Sequence, residues 1–344
     1  MKILLATDAW APQVNGVVRT LQTTVSHLER LGHEVRVIEP GMFRTIPCPS
    51  YPEIRLAWVR RTELSRWMDE FSPDAVHVAT EGPVGLAVRN ECVRRSWPFT
   101  TSFATKFPEY IYARARVPVG WTYALLRWFH GPSRAVMVAT DSVKRELEQR
   151  GFRHVVRWTR GVDVELFRPG RKDFLEGTRP ILLYVGRVAV EKNVEAFLAL
   201  DVPGTKYVVG DGPQRAMLQR RYPTVRFVGM KGGAELAAYY AAADVLVMPS
   251  RTETFGLVML EALACGVPVA AYPVTGPRDV LGDSGAGAMD EDLAEAVRRA
   301  LSIPAEVCRQ HALRFSWEQT ARMFLGNLHP RTAAVADPVL GVAS

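Results

Sequence analysis

The chain has 344 residues, of which 48% are hydrophobic and 23% are charged, and its formal net charge at pH 7 is +7. These fractions are typical of globular proteins, and the length exceeds one ordinary core, so we expect two domains. No uninterrupted apolar run approaches about 20 residues, and the apolar run at the amino terminus is short, so we expect neither a membrane-spanning segment nor a signal peptide.

The positive charge is concentrated in the first half of the chain. Residues 1–165 carry 23 Lys and Arg against 17 Asp and Glu, whereas residues 166–344 carry 20 against 19. A basic surface can bind acidic lipid or nucleic acid, although surface arginines are often only solvated. No nucleic-acid-binding motif accompanies the charge. We therefore expect peripheral contact with an anionic membrane and no nucleic-acid partner.

Short apolar runs alternate with amphipathic stretches along the chain, which predicts layers of helix and parallel sheet. A helix is predicted over Val17–Leu31, which has an apolar stripe. The strands predicted in the first half are Ile3–Thr7, Glu34–Glu39, Ala75–Ala79, Phe99–Phe103 and Ala135–Ala139. Those predicted in the second half are Ile181–Gly186, Lys206–Val209, Val225–Gly229, Asp244–Met248 and Val267–Ala271. Two such series predict an α/β protein of two doubly wound domains.

In the stretch Trp158–Pro169, Gly161 and Pro169 predict a turn, which is either an ordinary loop or a connection between domains. We place the first domain at residues 1–162, the second at 163–315, a last helix at 316–329 and a tail without periodicity at 330–344. The four cysteines lack the spacing of metal sites or disulfide pairs, which favours a reducing cytosol. They are Cys48, Cys92, Cys265 and Cys308.

The most informative stretch of the sequence contains two glutamates, Glu253 and Glu261, eight positions apart after the predicted strand Asp244–Met248. We predict a helix that begins near Phe255. Eight residues are just over two helical turns, so the two carboxylates can point into one cleft. The alternative is that both are ordinary solvated residues of a surface helix.

The first turn of that predicted helix would contain Thr254, Phe255, Gly256 and Leu257. Backbone N–H groups there have no partner inside the helix, and the helix dipole is positive at this end. Gly256 would let an anion approach the backbone closely. A phosphate beside carboxylates that bind hydroxyl groups is what a sugar-nucleotide site requires.

A second candidate stretch follows the strand predicted at Ile181–Gly186. Arg187 and Lys192 can both face the end of that strand, where their charges would stabilise a diphosphate as a sugar bond breaks. The alternative is two surface cations beside a loop. Gly210–Pro213 forms a tight turn after the next predicted strand. Neither domain has a G-x-G-x-x-G sequence at its first turn, so a nicotinamide dehydrogenase lacks its main support.

These stretches resemble the retaining glycosyltransferases of family 4, which have the GT-B fold. The shared features are the E-x7-E signature of Glu253 and Glu261, the Gly-Arg-x3-Glu-Lys segment and the Gly-Asp-Gly-Pro turn. The resemblance extends from Asp8 to Trp317 and is closest to sulfoquinovosyl-, glucosyl- and mannosyltransferases, many of which act on diacylglycerol or other membrane lipids. It implies two Rossmann-like domains facing across a cleft, with the acceptor on the first domain, the donor on the second, and the last helix returning to the first.

The resemblance implies roles for individual residues of the second domain. Arg187, Lys192 and Glu253 would be catalytic, and Glu261 would bind ribose or sugar hydroxyls. The remaining expected donor contacts are Gly210 near the nucleotide, the Met230 and Lys231 backbones near the base, and Phe255, Gly256 and Leu257 at the helix start.

The first domain contributes its own candidate residues. Asn15-Gly16 resembles the family's glycine loop, which approaches the donor phosphate, and Gly16 would also cap the helix that starts at Val17. Asp8 follows the first predicted strand, where ligands gather, or else it caps a helix or loop. Glu81 could face the acceptor. His77 lies inside a strand and is predicted to be a packed core residue.

The segment Thr100–Tyr110 matches a strand-to-loop stretch of the family, in which Ser-Phe/Tyr-His-Thr-x-Phe-Pro is usual. This chain has Ala104 where the resemblance implies a histidine that contacts the transferred sugar and is needed for turnover. Phe103, Thr105 and Pro108 keep the register. Either the alanine was engineered, which we favour because the remaining site residues are intact, or the chain is a natural non-catalytic relative.

The stretch Tyr112–His130 mixes arginines with Trp121, Tyr123, Trp128 and Phe129. Such a sequence suits a surface that dips into lipid headgroups, and it equally suits a core helix with a basic outer face.

The resemblance as a whole implies a retaining α-glycosyltransferase that moves a hexosyl unit from a nucleotide-diphosphate sugar to a membrane lipid such as diacylglycerol. A UDP-sugar is favoured over GDP-mannose, and the enzyme is expected in an inactivated His-to-Ala form. No metal, cofactor or enzymic general base is expected, because the leaving diphosphate helps to deprotonate the acceptor. The expected location is cytoplasmic, on the inner face of the cell membrane. The alternatives are a non-catalytic sugar-nucleotide-binding protein and, on charge alone, a polyanion-binding protein.

Overall fold

The computed structural model of the chain describes residues 1–48, 51–106 and 116–331. Phe107–Tyr110 of the segment matched above, the start of the aromatic stretch at 112–115 and the tail beyond Arg331 lie outside the described residues. The chain forms two compact units, Met1–Thr159 with the segment from Thr320 onward, and Arg160–Gln319. Within the described ranges, no helix is long and apolar enough to cross a membrane.

The first unit contains a six-stranded parallel sheet in the order β2-β1-β5-β6-β7-β8, and a separate antiparallel pair, β3 and β4. The strands are β1 Lys2–Ala6, β2 Glu34–Ile38, β3 Arg44–Cys48, β4 Tyr51–Trp58, β5 Ala75–Val78, β6 Thr100–Phe103, β7 Ala135–Val138 and β8 Val155–Arg157. Every residue of β5, β6 and β7 is buried, as expected for a parallel sheet covered on both faces.

Helices cover both faces of this sheet. They are α1 Gly16–Arg30, α2 Arg61–Phe71, α3 Pro83–Arg94, α4 Val119–His130, α5 Asp141–Gln149 and the last helix of the described chain, α13 Trp317–Asn327. Alternate residues of β1 belong to different core clusters. Leu4 packs in a cluster with residues of α2, α3 and α4, whereas Leu5 packs in a cluster with residues of α1 and α13. The two clusters therefore identify the two faces.

The second unit contains another six-stranded parallel sheet, in the order β11-β10-β9-β12-β13-β14. Its strands are β9 Ile181–Val185, β10 Thr205–Val209, β11 Arg226–Gly229, β12 Val245–Met248, β13 Val269–Ala271 and β14 Gly287–Met289. Its helices are α6 Val194–Leu198, α7 Arg215–Arg221, α8 Gly233–Ala242, α9 Leu257–Ala264, α10 Thr275–Leu281, α11 Leu293–Ala300 and α12 Ala305–Ala312. Short 3₁₀ helices occur at Pro40–Met42, Lys172–Phe174 and Val190–Lys192.

The predicted fold class is confirmed. Every strand predicted from the sequence is present, with its ends within about two residues, which is the usual uncertainty of element boundaries. The pair β3–β4 was not predicted, because Pro47 interrupts the run of one strand. Strands β8 and β14 were also not predicted, because each has only one buried residue, whereas the equally short β13 is buried throughout.

Candidate functional site

The strand order of the second sheet identifies where a ligand would bind. In open parallel sheets, ligands bind outside the carboxyl ends of the strands, at the point where the strand order reverses. In this sheet the point lies between β9 and β12, which are direct neighbours. The loop after β9 contains Arg187 and Lys192, and the loop after β12 contains Glu253. Three of the predicted catalytic residues thus follow the two strands that flank this point.

Gly210 packs against the loop that follows β9. Its φ is +141°, and a Cβ at this position would lie 1.9 Å from the backbone oxygen of Gly186. Neighbouring backbone groups also join the loops, since Val188 N donates to the Asp211 oxygen at 2.9 Å and Gly210 N donates to the Gly229 oxygen at 2.8 Å. The loops after β9 and β10 can lie this close because position 210 has no side chain.

Tyr184 fixes the backbone at Arg187. The Tyr184 hydroxyl donates to the backbone oxygen of Arg187 at 2.7 Å. The tyrosine is almost fully buried, and this burial raises its pKa well above the ordinary value, so the hydroxyl stays protonated and remains a donor. The first residue of the predicted phosphate loop therefore has a defined main-chain position.

Lys192 and Glu253 form an ion pair. Lys192 Nζ lies 2.8 Å from Glu253 Oε2, and the two side chains are 25% and 13% exposed. Asn193 adopts a left-handed conformation and donates from Nδ2 to the Pro249 oxygen at 3.0 Å. The backbone oxygen of Glu253 accepts a hydrogen bond from Gly276 N at 3.0 Å. Backbone contacts on both sides of the pair thus hold it in place.

The helix that follows Glu253 begins later than the sequence predicted. Helix α9 begins at Leu257, and its N-cap is Gly256, whose φ is +86°. The placement of Thr254 and Phe255 in the first turn is therefore wrong, because the left-handed backbone at Gly256 separates them from the helix. Phe255 is buried, with its ring centre 6.4 Å from that of Phe315, so its side chain belongs to the core. Glu253 accordingly lies in the loop.

Glu261 lies in the second turn of α9 and is only 4% exposed. The alternative interpretation, an ordinary solvated glutamate, is wrong for this residue. Tyr240 of α8 donates its hydroxyl hydrogen to Glu261 Oε2 at 2.8 Å. A buried carboxylate is costly unless it is hydrogen-bonded, so this contact supports the position of Glu261. Sequence reasoning missed Tyr240, because nothing in its alanine-rich helix shows which of two adjacent tyrosines has such a partner.

Met230 and Lys231 follow β11, beside Gly210. Met230 is exposed. Lys231 Nζ lies 2.6 Å from Glu235 Oε1 on the next helix and 5.8 Å from the ring centre of Tyr239. The Lys231 charge is thus paired within the chain, and the backbone contacts of Met230 and Lys231 to the base stay a prediction.

Asp8, in the first unit, caps helix α3. Its Oδ1 accepts from Val84 N at 2.8 Å, and its Oδ2 accepts from Gly85 N at 3.1 Å and from the Thr80 hydroxyl at 2.8 Å. A Cβ on Gly82 would lie 2.4 Å from Asp8 Cγ. Burial raises the pKa of Asp8, and these hydrogen bonds oppose the rise. These contacts show that Asp8 caps a helix, whereas a contact of Asp8 with a ligand stays a prediction.

Helix α1 begins at Gly16, and its N-cap is Asn15, not Gly16 as predicted. Asn15 Oδ1 accepts from the backbone N–H groups of Val17 and Val18, each at 3.0 Å. Asparagine supplies the side-chain acceptor that glycine lacks, which explains the difference.

Glu81 follows β5 and pairs with a buried histidine. His130 Nε2 lies 3.3 Å from Glu81 Oε1, and His130 Nδ1 lies 2.8 Å from the Thr101 hydroxyl. His77 is fully buried and contacts the hydroxyls of Thr100 and Ser102, as expected for a core histidine. Ala104 comes directly after β6 and is half-buried.

Helix α4 has both a core face and an exposed apolar face. Tyr123 and Phe129 are buried, whereas Trp121, Leu125 and Trp128 are 75%, 60% and 54% exposed. The exposed residues are spaced four and three positions apart, so they share one side of the helix. The buried face agrees with the interpretation as a core helix, whereas contact of the exposed face with lipid headgroups stays a prediction.

Comparison with known proteins connects both units to one family. The family model described as Glycosyltransferase Family 4 matches residues 14–166, and the model described as Glycosyl transferases group 1 matches residues 179–302. A GDP-mannose-dependent alpha-mannosyltransferase of Mycobacterium tuberculosis is 31% identical over 82% of this chain and 81% of that protein.

Two further relatives are similar over a larger share of the chain. A GDP-mannose-dependent alpha-(1-6)-phosphatidylinositol dimannoside mannosyltransferase of Mycobacterium tuberculosis is 32% identical over 91% of this chain and 82% of that protein. An alpha-monoglucosyldiacylglycerol synthase of Streptococcus pneumoniae is 26% identical over 91% of this chain and 81% of that protein.

A solved structure supports the fold. The sucrose-phosphate synthase of Thermosynechococcus elongatus superimposes with a TM-score of 0.74 at 20% identity, over 94% of this chain and 97% of that one. At that identity the likeness shows the fold alone, which is the GT-B fold. From the sequence relatives and the family models together, the chain belongs to glycosyltransferase family 4.

Proposed function

We propose that the chain is a retaining α-glycosyltransferase that moves a hexosyl unit from a nucleotide-diphosphate sugar to a membrane lipid. The observation that carries the proposal is the Lys192–Glu253 pair, whose atoms Nζ and Oε2 lie 2.8 Å apart beside the point where the second sheet reverses its strand order. A cation for phosphate and a carboxylate for hydroxyls at one such point suit a ligand that contains both groups.

The proposed mechanism uses placement and electrostatics. Arg187 and Lys192 stabilise the negative charge that grows on the leaving diphosphate, and Glu253 holds the sugar by its hydroxyls. Glu261 binds the ribose. The leaving diphosphate removes the proton of the acceptor hydroxyl on the face it departs from, so that the new bond keeps the α configuration.

The backbone completes the proposed donor site. The N–H groups at the start of α9, from Leu257, are free of intrahelical partners by position and suit an anion. Gly210, Met230 and the backbone of Lys231 are proposed to border the nucleotide. By the family resemblance, Gly16 is proposed to approach the donor phosphate. The side chain of Phe255 is buried in the core, so only its backbone is proposed to contact the donor.

The donor is a UDP-sugar or GDP-mannose. The family resemblance favours a UDP-sugar, whereas the two mannosyltransferases at 31% and 32% identity depend on GDP-mannose. We therefore include both nucleotides in the proposal, with GDP-mannose supported by the relatives.

The acceptor is proposed to be a membrane lipid bound by the first unit, with Glu81 on the acceptor side. Two relatives have names that contain a lipid, phosphatidylinositol dimannoside in one and diacylglycerol in the other. The exposed side chains of Trp121, Leu125 and Trp128 are of the type that enters a lipid interface. We accordingly propose a cytoplasmic protein that binds peripherally to the anionic inner face of the cell membrane.

Ala104 is proposed to impair turnover without removing donor binding. A methyl group offers no hydrogen bond to a transferred sugar, whereas the proposed phosphate and ribose contacts come from the second unit. The second candidate function, a non-catalytic sugar-nucleotide-binding protein, rests on this residue.

The experiment is a thermal-shift screen with UDP, GDP, UDP-glucose and GDP-mannose. A ligand at 100 times its dissociation constant stabilises the folded state by about 2.7 kcal/mol, which gives a measurable rise in the melting temperature. We expect one nucleotide family to stabilise the chain and the other not. ADP and AMP serve as controls for general phosphate binding. If none of the uridine or guanosine compounds raises the melting temperature, the proposed function is wrong.

A further inference from the structure

The Lys192–Glu253 ion pair affects how well the proposed donor site binds a free nucleoside diphosphate and a nucleotide sugar. Both partners belong to the proposed donor site, and without a donor they neutralise each other. The two side chains are only 25% and 13% exposed, so water screens this pair less than it screens an ion pair on the open surface.

The position of the Glu253 carboxylate is determined by the fold. Gly276 N donates to the Glu253 backbone oxygen at 3.0 Å, and a Cβ on Gly276 would lie 3.1 Å from Glu253 Cγ. A Cβ on Gly256 would lie 3.3 Å from the same atom. Two glycines thus give the Glu253 side chain its space, and its carboxylate lies 2.8 Å from Lys192 Nζ.

A free nucleoside diphosphate and a nucleotide sugar differ in what they offer this carboxylate. The free diphosphate has one more ionisable oxygen on its terminal phosphate, and it brings no hydroxyl to that end. It must therefore compete with Glu253 for Lys192 and tolerate a like charge beside it. The nucleotide sugar has an ester in place of that oxygen, and its sugar hydroxyls can donate hydrogen bonds to the carboxylate.

We propose that Glu253, through its pair with Lys192, selects the sugar-bearing donor against the free nucleoside diphosphate. The inference rests on the proposed function. It adds that one carboxylate both occupies the phosphate-binding cation in the donor-free state and rejects the product nucleotide after transfer. Discrimination by an unfavourable contact with the wrong ligand is a general route to specificity.

The test is calorimetric titration of the full chain with GDP and GDP-mannose, and with UDP and UDP-glucose. The variant Glu253→Gln keeps the shape of the side chain and removes its charge. We expect it to bind the free diphosphate about tenfold more tightly and the nucleotide sugar no more tightly than the unaltered chain. Glu195→Gln, which removes the same charge from helix α6 of the same unit, should change neither affinity.

A double variant separates the pair from a general change in charge. In a Lys192→Met background, Glu253→Gln should improve binding of the free diphosphate by clearly less than tenfold. The competition for the cation is then gone, and only the repulsion between the carboxylate and the terminal phosphate remains to be relieved. Melting curves of all variants check that they are folded.

The outcomes are distinct. If Glu253→Gln weakens the binding of both ligands equally, or if its full gain for the free diphosphate remains without Lys192, the inference is overturned and the proposed donor site stands. If the unaltered chain binds none of the four compounds, the proposed function fails and the inference fails with it.

Discussion

Tyr240 and Glu261 are joined by a buried hydrogen bond of 2.8 Å between the tyrosine hydroxyl and Oε2 of the carboxylate. The bond connects helix α8 to helix α9, whose start borders the proposed donor site. Glu261 is proposed to bind ribose, so its carboxylate must be held at a fixed angle, and Tyr240 is a residue that can hold it there.

Tyr240→Phe should therefore weaken nucleotide binding through Glu261. Loss of a hydrogen bond to a buried charged group costs about 1–3 kcal/mol. The loss of affinity should be smaller for a 2′,3′-dideoxynucleotide, which has no ribose hydroxyls to present, and calorimetry with both ligands measures the difference. Tyr239→Phe, the same change one residue earlier, is the control. Equal losses for the two ligands would indicate a purely structural tyrosine.

Arg187→Ala should weaken binding of the nucleoside diphosphate by about 1.5–3 kcal/mol, because it removes charge-assisted hydrogen bonds to phosphate. The backbone contact from Tyr184 to position 187 does not involve the arginine side chain, so the loop should keep its conformation. Calorimetry with UDP and GDP provides the measurement, and Arg220→Ala on helix α7 removes an equal charge elsewhere. Unchanged affinity would exclude Arg187 from the phosphate site.

Ala104→His should raise turnover at least tenfold with little change in donor affinity. Side chains that stabilise a reacting centre typically contribute about 10²–10³ in rate, or roughly 2.7–4 kcal/mol. Transfer to a lipid acceptor and donor hydrolysis would be measured side by side, and Ala104→Leu adds bulk without a hydrogen-bonding group. A histidine variant as slow as the leucine variant would make the non-catalytic binding protein the better hypothesis.

The exposed face of α4 should bind anionic vesicles at low salt. Changing Trp121 and Leu125 together to serine should reduce vesicle affinity by about tenfold or more, since burial of one large apolar side chain contributes about 1.5–3 kcal/mol. Flotation of vesicles with and without acidic lipid, at low and high salt, measures this. Met217→Ser, an exposed apolar residue of the second unit, is the control. If the unaltered chain does not float with acidic vesicles at low salt, a soluble acceptor becomes the better proposal.

Glu91 should make stability depend on acid pH. Hydrogen bonds from Arg94, then from Arg95 and Ser65, lower the pKa of this buried carboxyl from its usual 4.5 to about 2. A lowered pKa stabilises the fold fully above pH 4.5, and that stability is lost as the pH falls toward 2. Glu91→Gln should cost about 2–3 kcal/mol at pH 7 and progressively less below pH 4.5.

Urea unfolding between pH 7 and pH 3 measures this dependence. Glu70→Gln, which removes one partner of an exposed ion pair with Arg66, should cost little at any pH. A cost for Glu91→Gln that stays constant across this range would show that the arginine contacts do not shift the carboxyl's titration.

Much of the fold could be predicted because fully buried parallel strands are uninterrupted apolar runs, as in Ile181–Val185. Features that depend on the backbone angle of a single residue were harder to predict from the sequence. The sequence around Gly256 continues the apolar pattern of a helix, yet the φ of Gly256 is +86° and the helix begins at Leu257, two residues later than predicted. From the sequence, Asp8 could either bind a ligand or cap a helix or loop. Its capping contacts involve Thr80 and Val84, which lie 72 and 76 residues away in sequence. Side-chain partnerships such as Lys192–Glu253 exist only after folding.

The first unit is discontinuous in sequence. Ala321 and Phe324 of α13 belong to the same buried cluster as Ile3 and Leu21, near the opposite end of the chain. The second unit is continuous from Arg160 to Gln319. A ribosome makes the amino terminus first, yet the amino-terminal unit cannot complete its core until residues from Thr320 onward have emerged. The unit that is begun first is therefore finished last, and a chain that stops before Thr320 would leave an apolar surface of β1 and α1 open to chaperones and proteases.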